Sequence, residues 1–382
     1  MAGSQFGKIF HISTFGESHG KALGVVVDGC PAGLSLSEED IQEMLERRRP
    51  GKNLKMTQRR EGDKVEILSG IFEGKTTGTP IAMVVWNEDQ RSKDYGEIAH
   101  AFRPGHADYG FFAKYGFRDY RGGGRSSGRE TIARVAAGAI AKKMLLELGV
   151  SVRAKVIELA GISLTEDRQK AELLAEQKIL SLREQGDSAG GVVECLVEGL
   201  PAGIGEPVFD KLDASLAKAV MSIGAVKSVE IGDGIEVSKS LGSENNDAFF
   251  LMEENDYESE EKERDAAGKD SCPHSLLEGT TSFEGKLKKG SNHSGGILGG
   301  MSDGSTIRIR AGFKPTPSIS KPQQTVNEAG EEITIAIKGR HDPTVVERAN
   351  VVVEAMTALT VLDAMLENLS ARLEYVKRAY RR

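Results

Sequence analysis

A gapless repeat at an offset of 170 residues constrains this fold more than any other feature of the sequence. Residues 16–33, GESHGKALGVVVDGCPAG, align on residues 186–203, GDSAGGVVECLVEGLPAG. Glycines, a serine and a Pro-Ala-Gly turn coincide, and each copy leads towards a segment of helical pattern. A duplicated strand–turn–helix unit within one compact fold is the natural reading, because one such unit cannot bury its apolar face alone. The copies differ at a position that bears on function: His19 in the first is Ala189 in the second. The unit therefore folds without an imidazole there, which moves His19 away from a purely structural role.

The rest of the chain alternates short β-rich runs with amphipathic helices. ALGVVVDG and KVEILSGIFEG read as strands closed by glycine turns, and TPIAMVVW as a buried strand. Residues 37–49 read as a helix, with Ser37 and Asp40 as a capping box and Pro50-Gly51 as the stop. Residues 209–223 and 343–372 read as further helices, Pro343 suiting the first helical position. The mixture, with the repeat, suits one compact fold. At about residues 250–281 the run MEENDYESEEKERDAAGKDS is dense in charge and poor in large apolar groups, so an exposed acidic insertion is expected.

Composition removes several classes of function. A formal net charge of -7 does not suit a surface built for nucleic acid or an anionic membrane. No stretch approaches the roughly 20 apolar residues of a membrane span, and MAGSQFGKIFHIS lacks the pattern of an export signal. Cys30, Cys195 and Cys272 are too few and too scattered for a disulfide framework or a zinc site. The seven histidines show no HxxxH or HExxH spacing, so no metal is expected. A cytoplasmic protein acting on a small molecule is the expectation.

The segment DYRGGGRSSGRETIARVAAGAIAKK, residues 119–143, admits two readings: an RGG-type RNA-binding tract or a rigid cradle for an anion. Ser127 and Glu130 fit a capping box, and Ile132, Val135, Ala136, Ala139 and Ile140 follow at helical spacing up to a Gly149 stop. A capped helix favours the cradle, since a helix start offers free N–H groups and partial positive charge. Arg125 and Arg129 flank it, suited to gripping phosphate. No Walker lysine is present, so the signal says anion rather than nucleotide. An aromatic content of 5% also argues against base-stacking platforms.

Arg48 shares one helical face with Ile41, Met44 and Leu45. Turned inward, its guanidinium needs an anion, either a carboxylate of the fold or a ligand. Arg47 and Arg49 read as cations that offset the helix dipole. His19, framed by glycines in GESHG, and His106, after a Pro-Gly turn and near Arg103 in FRPGHADYG, are the acid–base candidates. Asp342, in KGRHDPT, reads first as an N-cap. NHSGGILGGMSDG suits a chain folded close to a flat ligand or another backbone, and GFKPTPSISKPQ a stiff loop holding a phosphate or a ring edge.

FGESHG, DGCPAGLSL, RRRPG, FRPGHADY, DYRGGGRSSGRET, NHSGGILGG, FKPTPSI and KGRHDPTV, in that order, together resemble the chorismate synthase family. The resemblance spans nearly the whole chain except the acidic insertion. It implies an α+β fold as a single domain over residues 1–382, a β-α-β sandwich with helices between antiparallel sheets, an internal pseudo-repeat and a homotetramer. It implies conversion of 5-enolpyruvylshikimate 3-phosphate to chorismate and phosphate, a 1,4-anti elimination that needs reduced FMN (FMNH2) without net redox change. Carried over by motif, His19 protonates the departing phosphate, His106 stabilises the reduced flavin, and Asp342 assists proton transfer at the flavin N5. Arg48, Arg103, Arg129 and Arg340 neutralise the substrate's anionic groups, with Ser127 hydrogen-bonding nearby. Flavin contacts fall on Arg125, Ser126, Ser127, Gly224, Ala225, Gly299 and Arg340, and on the run Lys314, Pro315, Thr316, Pro317 and Ser318. Two positions depart from the family pattern. Gly224 stands where asparagine is common, and Leu54 where many members have arginine, leaving Lys52, Lys55, Arg59 or Arg60 to supply the charge. Some relatives reduce their flavin with NADPH; for this chain an external flavin reductase is expected. The competing readings are a flavin-dependent oxidoreductase, which lacks a GxGxxG fingerprint here, and the RNA-binding protein already weighed.

Overall fold

Both copies of the repeat become the middle strand of a five-stranded sheet. The first sheet is built from β1 (Gln5–Phe6), β2 (His11–Gly16), β3 (Ala22–Asp28), β4 (Val65–Ile67) and β5 (Ile81–Trp86), in the order β1-β2-β3-β5-β4. The second contains β6 (Ser151–Leu159), β7 (Ile162–Ser163), β8 (Gly191–Glu198), β9 (Val226–Ile231) and β10 (Ile307–Phe313), in the order β9-β10-β8-β6-β7. Every neighbouring pair is antiparallel. The computed structural model describes residues 3–49, 62–87, 99–251, 287–337 and 342–381. Expectations for Pro50, Gly51, Lys52, Leu54, Lys55, Arg59 and Arg60, for the acidic insertion from residue 252 onward, and for Arg340 lie outside these residues.

Side-chain alternation explains why the repeat keeps its register. Leu23, Val25 and Val27 of β3 and Val193, Cys195 and Val197 of β8 are all at most 1% exposed. They occupy equivalent repeat positions, so both pleats turn the same parity inward. A one-residue slip would expose all three apolar groups in either strand. Cys195 is therefore a core residue, and burial pushes its thiol up to about 12.

Both inward faces rest on a shared helical layer. Its members are α1 (Glu38–Arg48), α3 (Thr131–Glu147), α5 (Leu212–Met221) and α6 (Val346–Asn368); α2 (Asp108–Tyr115) and α4 (Arg168–Glu184) lie apart from it. α3 packs on β2, β3 and β5, α6 packs on β6 and β8, and α3 and α6 pack on each other. The result is a β-α-β sandwich of the α+β class. The order of the main elements is itself duplicated: β2-β3-α1-β4-β5-α3 returns as β6-β8-α5-β9-β10-α6, with α2 inserted in the first half and β7 and α4 among the insertions of the second. The 18-residue match in sequence is thus the part of a larger two-fold arrangement that remains visible in side chains.

Several local expectations are corrected. The last long helix starts at Val346 rather than Pro343, because the Pro343 carbonyl accepts from Ala189 N–H and Thr344 Oγ1 accepts from Val346 N–H. Asp342 is consequently not its N-cap. The helix expected over residues 209–223 begins at Leu212, whose N–H donates to Gly300 O. α6 is long and apolar enough to span a membrane, contrary to the sequence reading, but 78% of its apolar window is buried between the sheets. Arg47 does more than offset a dipole: it makes two hydrogen bonds, 2.7 and 2.9 Å, to the buried carboxylate of Glu354 on α6. Lys142 and the Ala154 N–H complete that carboxylate's partners. Burial alone would favour the neutral acid, but Arg47 and Lys142 outweigh it and hold Glu354 below its ordinary range.

A close approach in the helical layer is Gly138 of α3 on Ala355 of α6, where an added Cβ would sit 2.4 Å from the alanine methyl. Gly138→Ala should therefore lower unfolding free energy by about 1–3 kcal/mol through overpacking, despite a helix-propensity gain of roughly 1 kcal/mol. Urea unfolding measures this; an unchanged or higher midpoint would mean the helices have room.

Candidate active site

The glycine cradle is real and left-handed. Gly122, Gly123 and Gly124 take φ of 66°, 85° and 53°, a run that side-chain-bearing residues rarely adopt. The chain then makes two 3-10 turns, Gly124–Ser126 and Gly128–Glu130, before α3 begins at Thr131. Only half of the expected capping box forms. Ser127 Oγ accepts from Arg129 N–H at 3.3 Å, whereas Glu130 turns to Arg134 because the 3-10 geometry carries it past Ser127.

Two guanidinium groups converge on this helix start. Arg48, 2% exposed, donates to Thr131 Oγ1 (2.9 Å), Gly128 O (3.1 Å) and Asp63 Oδ2 (3.1 Å). Of the two sources of anion open to it, the fold's own carboxylate is present. Arg129 donates to the other oxygen of Asp63 (3.0 Å) and to Asn87 Oδ1 (2.7 Å). Asp63 thus fixes both arginines with one buried carboxylate, from a backbone at φ +42°. Asn87 donates in turn to Gly20 O and Glu17 O, which ties Arg129 to the His19 turn.

His19 lies against the cradle: a Cβ on Gly122 would sit 2.4 Å from its Cε1. Glycine is required there because the ring occupies that space. His19 Nδ1 lies 3.1 Å from Ser18 Oγ, and the Ser18 hydroxyl points to Arg121 O. With the hydroxyl donating to that carbonyl, Nδ1–H donates to Ser18, and Nε2 becomes the acid–base edge. Arg103 reaches the same cradle beside Gly123 and forms a two-bond pair with Asp108 at 2.7 and 2.8 Å. Burial pulls the Asp108 carboxyl up, but Arg103 and Arg118 outweigh it and keep it ionised.

His106 follows Arg103 by three residues, and its N–H donates to Arg103 O. Its Nδ1 is 3.0 Å from Pro104 O, which only accepts, so Nδ1 carries the proton. Nε2 then accepts from Ser318 Oγ–H at 2.8 Å. This is a neutral ring. Burial, followed by the charges of Arg103 and Lys314, pushes its pKa down to about 4. The loop of residues 314–318 meets it from the second half of the fold. Lys314 Nζ donates to Gly105 O (2.8 Å), and Lys314 N–H to Ala225 O (2.9 Å) beside Gly224. Asp342, 9% exposed, pairs with Arg348, whose Nε donates to Arg48 O.

Hydrogen bonds and close contacts thus connect His19, His106, Asp342, Arg48, Arg103, Arg129, Ser127 and the loop of residues 314–318. Arg125 belongs to the glycine cradle, in the turn Gly124–Ser126, yet its guanidinium is spent on β2, at Thr14 Oγ1 (2.7 Å) and Gly16 O (3.1 Å). Ser126 Oγ donates back to Gly123 O. Gly299 sits apart, in a hairpin turn with nothing within 4 Å of its open side. A cavity of about 500 Å³ beside β8 shares Lys314 and Pro315 with this loop but none of the histidines. Sequence reasoning missed Asp63, Asn87 and Arg348. A lone aspartate in EGDK, an asparagine after a strand and an arginine in a helix carry no pattern, because their roles arise only from non-local contact.

Fold and site together define an enzyme of the β-α-β sandwich class, with two imidazoles set beside an arginine-lined helix start. A family model described as chorismate synthase matches residues 10–366. Chorismate synthase of Lachnoclostridium phytofermentans is 56% identical over the full length of both chains. That of Methanosarcina mazei is 52% identical over 96% of this chain and 97% of its own. A crystal structure of a chorismate synthase superposes with a TM-score of 0.70 at 29% identity, covering 98% and 97% of the two chains. The chain belongs to the chorismate synthase family and is a carbon–oxygen lyase of the shikimate route.

The neutral state of His106 has a measurable consequence. Unfolded, the ring titrates near its ordinary 6.5; folded, near 4. Between those values the unfolded chain binds more protons, so this contribution is intact above pH 6.5 and is lost as pH falls towards 4. Its size is up to about 3 kcal/mol. Urea unfolding at pH 7 and 4.5 should show a larger loss for the wild type than for His106→Asn. Equal losses would mean the ring is not held neutral.

Proposed function

We propose that the chain releases phosphate from 5-enolpyruvylshikimate 3-phosphate and forms chorismate at the cluster of His19, His106, Asp342 and the arginines, over reduced FMN. The observation that carries this assignment is the Asp63–Arg129–Asn87 linkage, which sets buried guanidinium groups within one hydrogen-bonded network with the His19 turn. The substrate bears a phosphate and two carboxylates. Its binding by an acidic chain requires cations concentrated and oriented locally, as they are at the start of α3.

The residues suit the cofactor. Thr316 Oγ1 is buried without a partner among the described residues, and Gly224 is open on its Cβ side. Residues 314–318 would hold one edge of the ring system with Ala225 beside them, while Ser126 and the backbone of Arg125 would contribute from the glycine cradle. When bound, the dihydroflavin supplies an electron-rich partner that side chains lack. His19 gives a proton to the departing phosphate through Nε2, while Arg48 and Arg129 stabilise the charge that develops there. His106 starts neutral, and an anion beside it favours its protonated form. Asp342, held by Arg348, is the carboxylate base of the set. Arg103, Ser127 and Arg340 complete substrate contact in this reading. We further propose a cytoplasmic homotetramer that receives its FMN already reduced by a separate reductase.

Anaerobic incubation with the enolpyruvyl ester and photoreduced FMN should produce chorismate absorbance, and NADPH with oxidised FMN should not. Equal turnover under both conditions would overturn the need for a separate reductase, and none under either would overturn the site assignment. His19→Ala should reduce turnover by about 10²–10⁴ with the melting temperature unchanged. A parallel loss of both would make His19 structural.

A further inference from the structure

The second copy of the repeat turn has no histidine, yet it touches the opposite wall of the same site. In the first copy, Ser18 Oγ donates to the carbonyl of Arg121, in the loop that leads into α3. In the second, Ser188 Oγ donates at 2.7 Å to the carbonyl of Thr316, in the loop that leads from β10 into α6. The two-fold arrangement makes these loops equivalents, and the repeat serine does the same work in both halves. Neighbouring atoms of the second turn reinforce the contact. Gly186 O accepts from Ser320 N–H at 2.9 Å, Asp187 pairs with Lys321 at 2.6 Å, and Ala189 N–H donates at 2.9 Å to Pro343 O, next to Asp342. Gly190 packs so tightly that a Cβ would sit 2.1 Å from Phe313 O.

The loop needs such support for a physical reason. Pro315 and Pro317 remove two N–H donors from five consecutive residues, so ladder pairing is unavailable to it. Its carbonyls must be held from outside, and Ser188 is the side chain that holds Thr316 O. Two residues on, Ser318 donates to His106, and Pro317 packs on Gly105. A shift at Thr316 therefore moves the hydroxyl that donates to His106 Nε2. The exposed Asp187–Lys321 pair is the weaker restraint, being partly screened by water.

We propose that Ser188 is a positioning residue: the second copy of the repeat turn clamps residues 314–318, and through Ser318 the His106 ring, in the arrangement that receives the flavin. The cofactor part of this proposal rests on the reduced-FMN reading above. A brace of this kind uses the hydroxyl of Ser188 and needs no imidazole at Ala189.

Two measurements on the full-length wild type, Ser188→Ala and Ser188→Thr test it. Amide hydrogen exchange without flavin should be about 5–10-fold faster at Thr316, Ser318 and Ile319 in Ser188→Ala, with residues 193–197 of β8 unchanged. Anaerobic titration with reduced FMN should show Kd raised about 5–10-fold in the same variant. Ser188→Thr, which keeps the hydroxyl, should restore both. Unchanged exchange in the loop overturns the clamp. Faster exchange spreading through β8 overturns it as well, by assigning the hydroxyl to the sheet. A loosened loop with unaltered flavin affinity overturns the positioning role. A wild type that binds no flavin overturns the cofactor reading, and is distinguishable because exchange is read without flavin.

Discussion

Everything in this fold leans on the contact between α3 and α6. Two antiparallel sheets each have one apolar face, and a single layer of helices must bury both. The layer works only if its helices come close, and Gly138 against Ala355 lets them do so. From that contact the positions of the site follow. Arg129 stands in the turn that leads into α3, and α6 is entered past Asp342 and carries Arg348 in its first turn. The loops that enter these two helices form facing walls of one site because the helices themselves are packed together.

Buried charge is the second constraint, and it is handled in two ways. Glu354 collects Arg47, Lys142 and a backbone N–H, and Asp363 accepts the N–H groups of Lys8, Ile9 and Phe10. These groups lie within the scaffold and lock elements together, since a buried carboxylate left unpaired is costly. Asp63 differs, because the two guanidinium groups it holds stand at the helix start beside the cradle. One carboxylate thereby converts flexible cations into oriented ones, which is what recognition of a phosphate ester requires.

Duplication sets one repeat turn against each of the two loops that enter α3 and α6. One repeat turn presents His19 to the glycine cradle, while the other braces the proline-stiffened loop that meets His106. The halves have kept their architecture while their turns have diverged. Divergence is visible at single positions, such as His19 against Ala189, whereas the shared topology is visible only in space.

Much of this was legible in the sequence. The repeat, its strands, the helix ending at Gly149, the inward side of Arg48 and the glycine cradle all follow from local rules: β-rich runs, period-3.6 patterns, caps and glycine turns. The motif set identified the family for the same reason, since its residues stand in contiguous runs. Tertiary structure decided the rest. Arg47 reaches Glu354 across 307 positions, and Asp63 meets Arg129 across 66. Helix starts moved to Leu212 and Val346 because distant carbonyl and N–H groups, at Gly300 and Ala189, claimed the expected capping atoms. The charge state of His106 likewise depends on burial beside Arg103 and Lys314. Local pattern sets which element forms and which face turns inward; which charges meet, and which histidine stays neutral, depends on chain segments far apart in sequence, and only the packed fold brings them within hydrogen-bond reach.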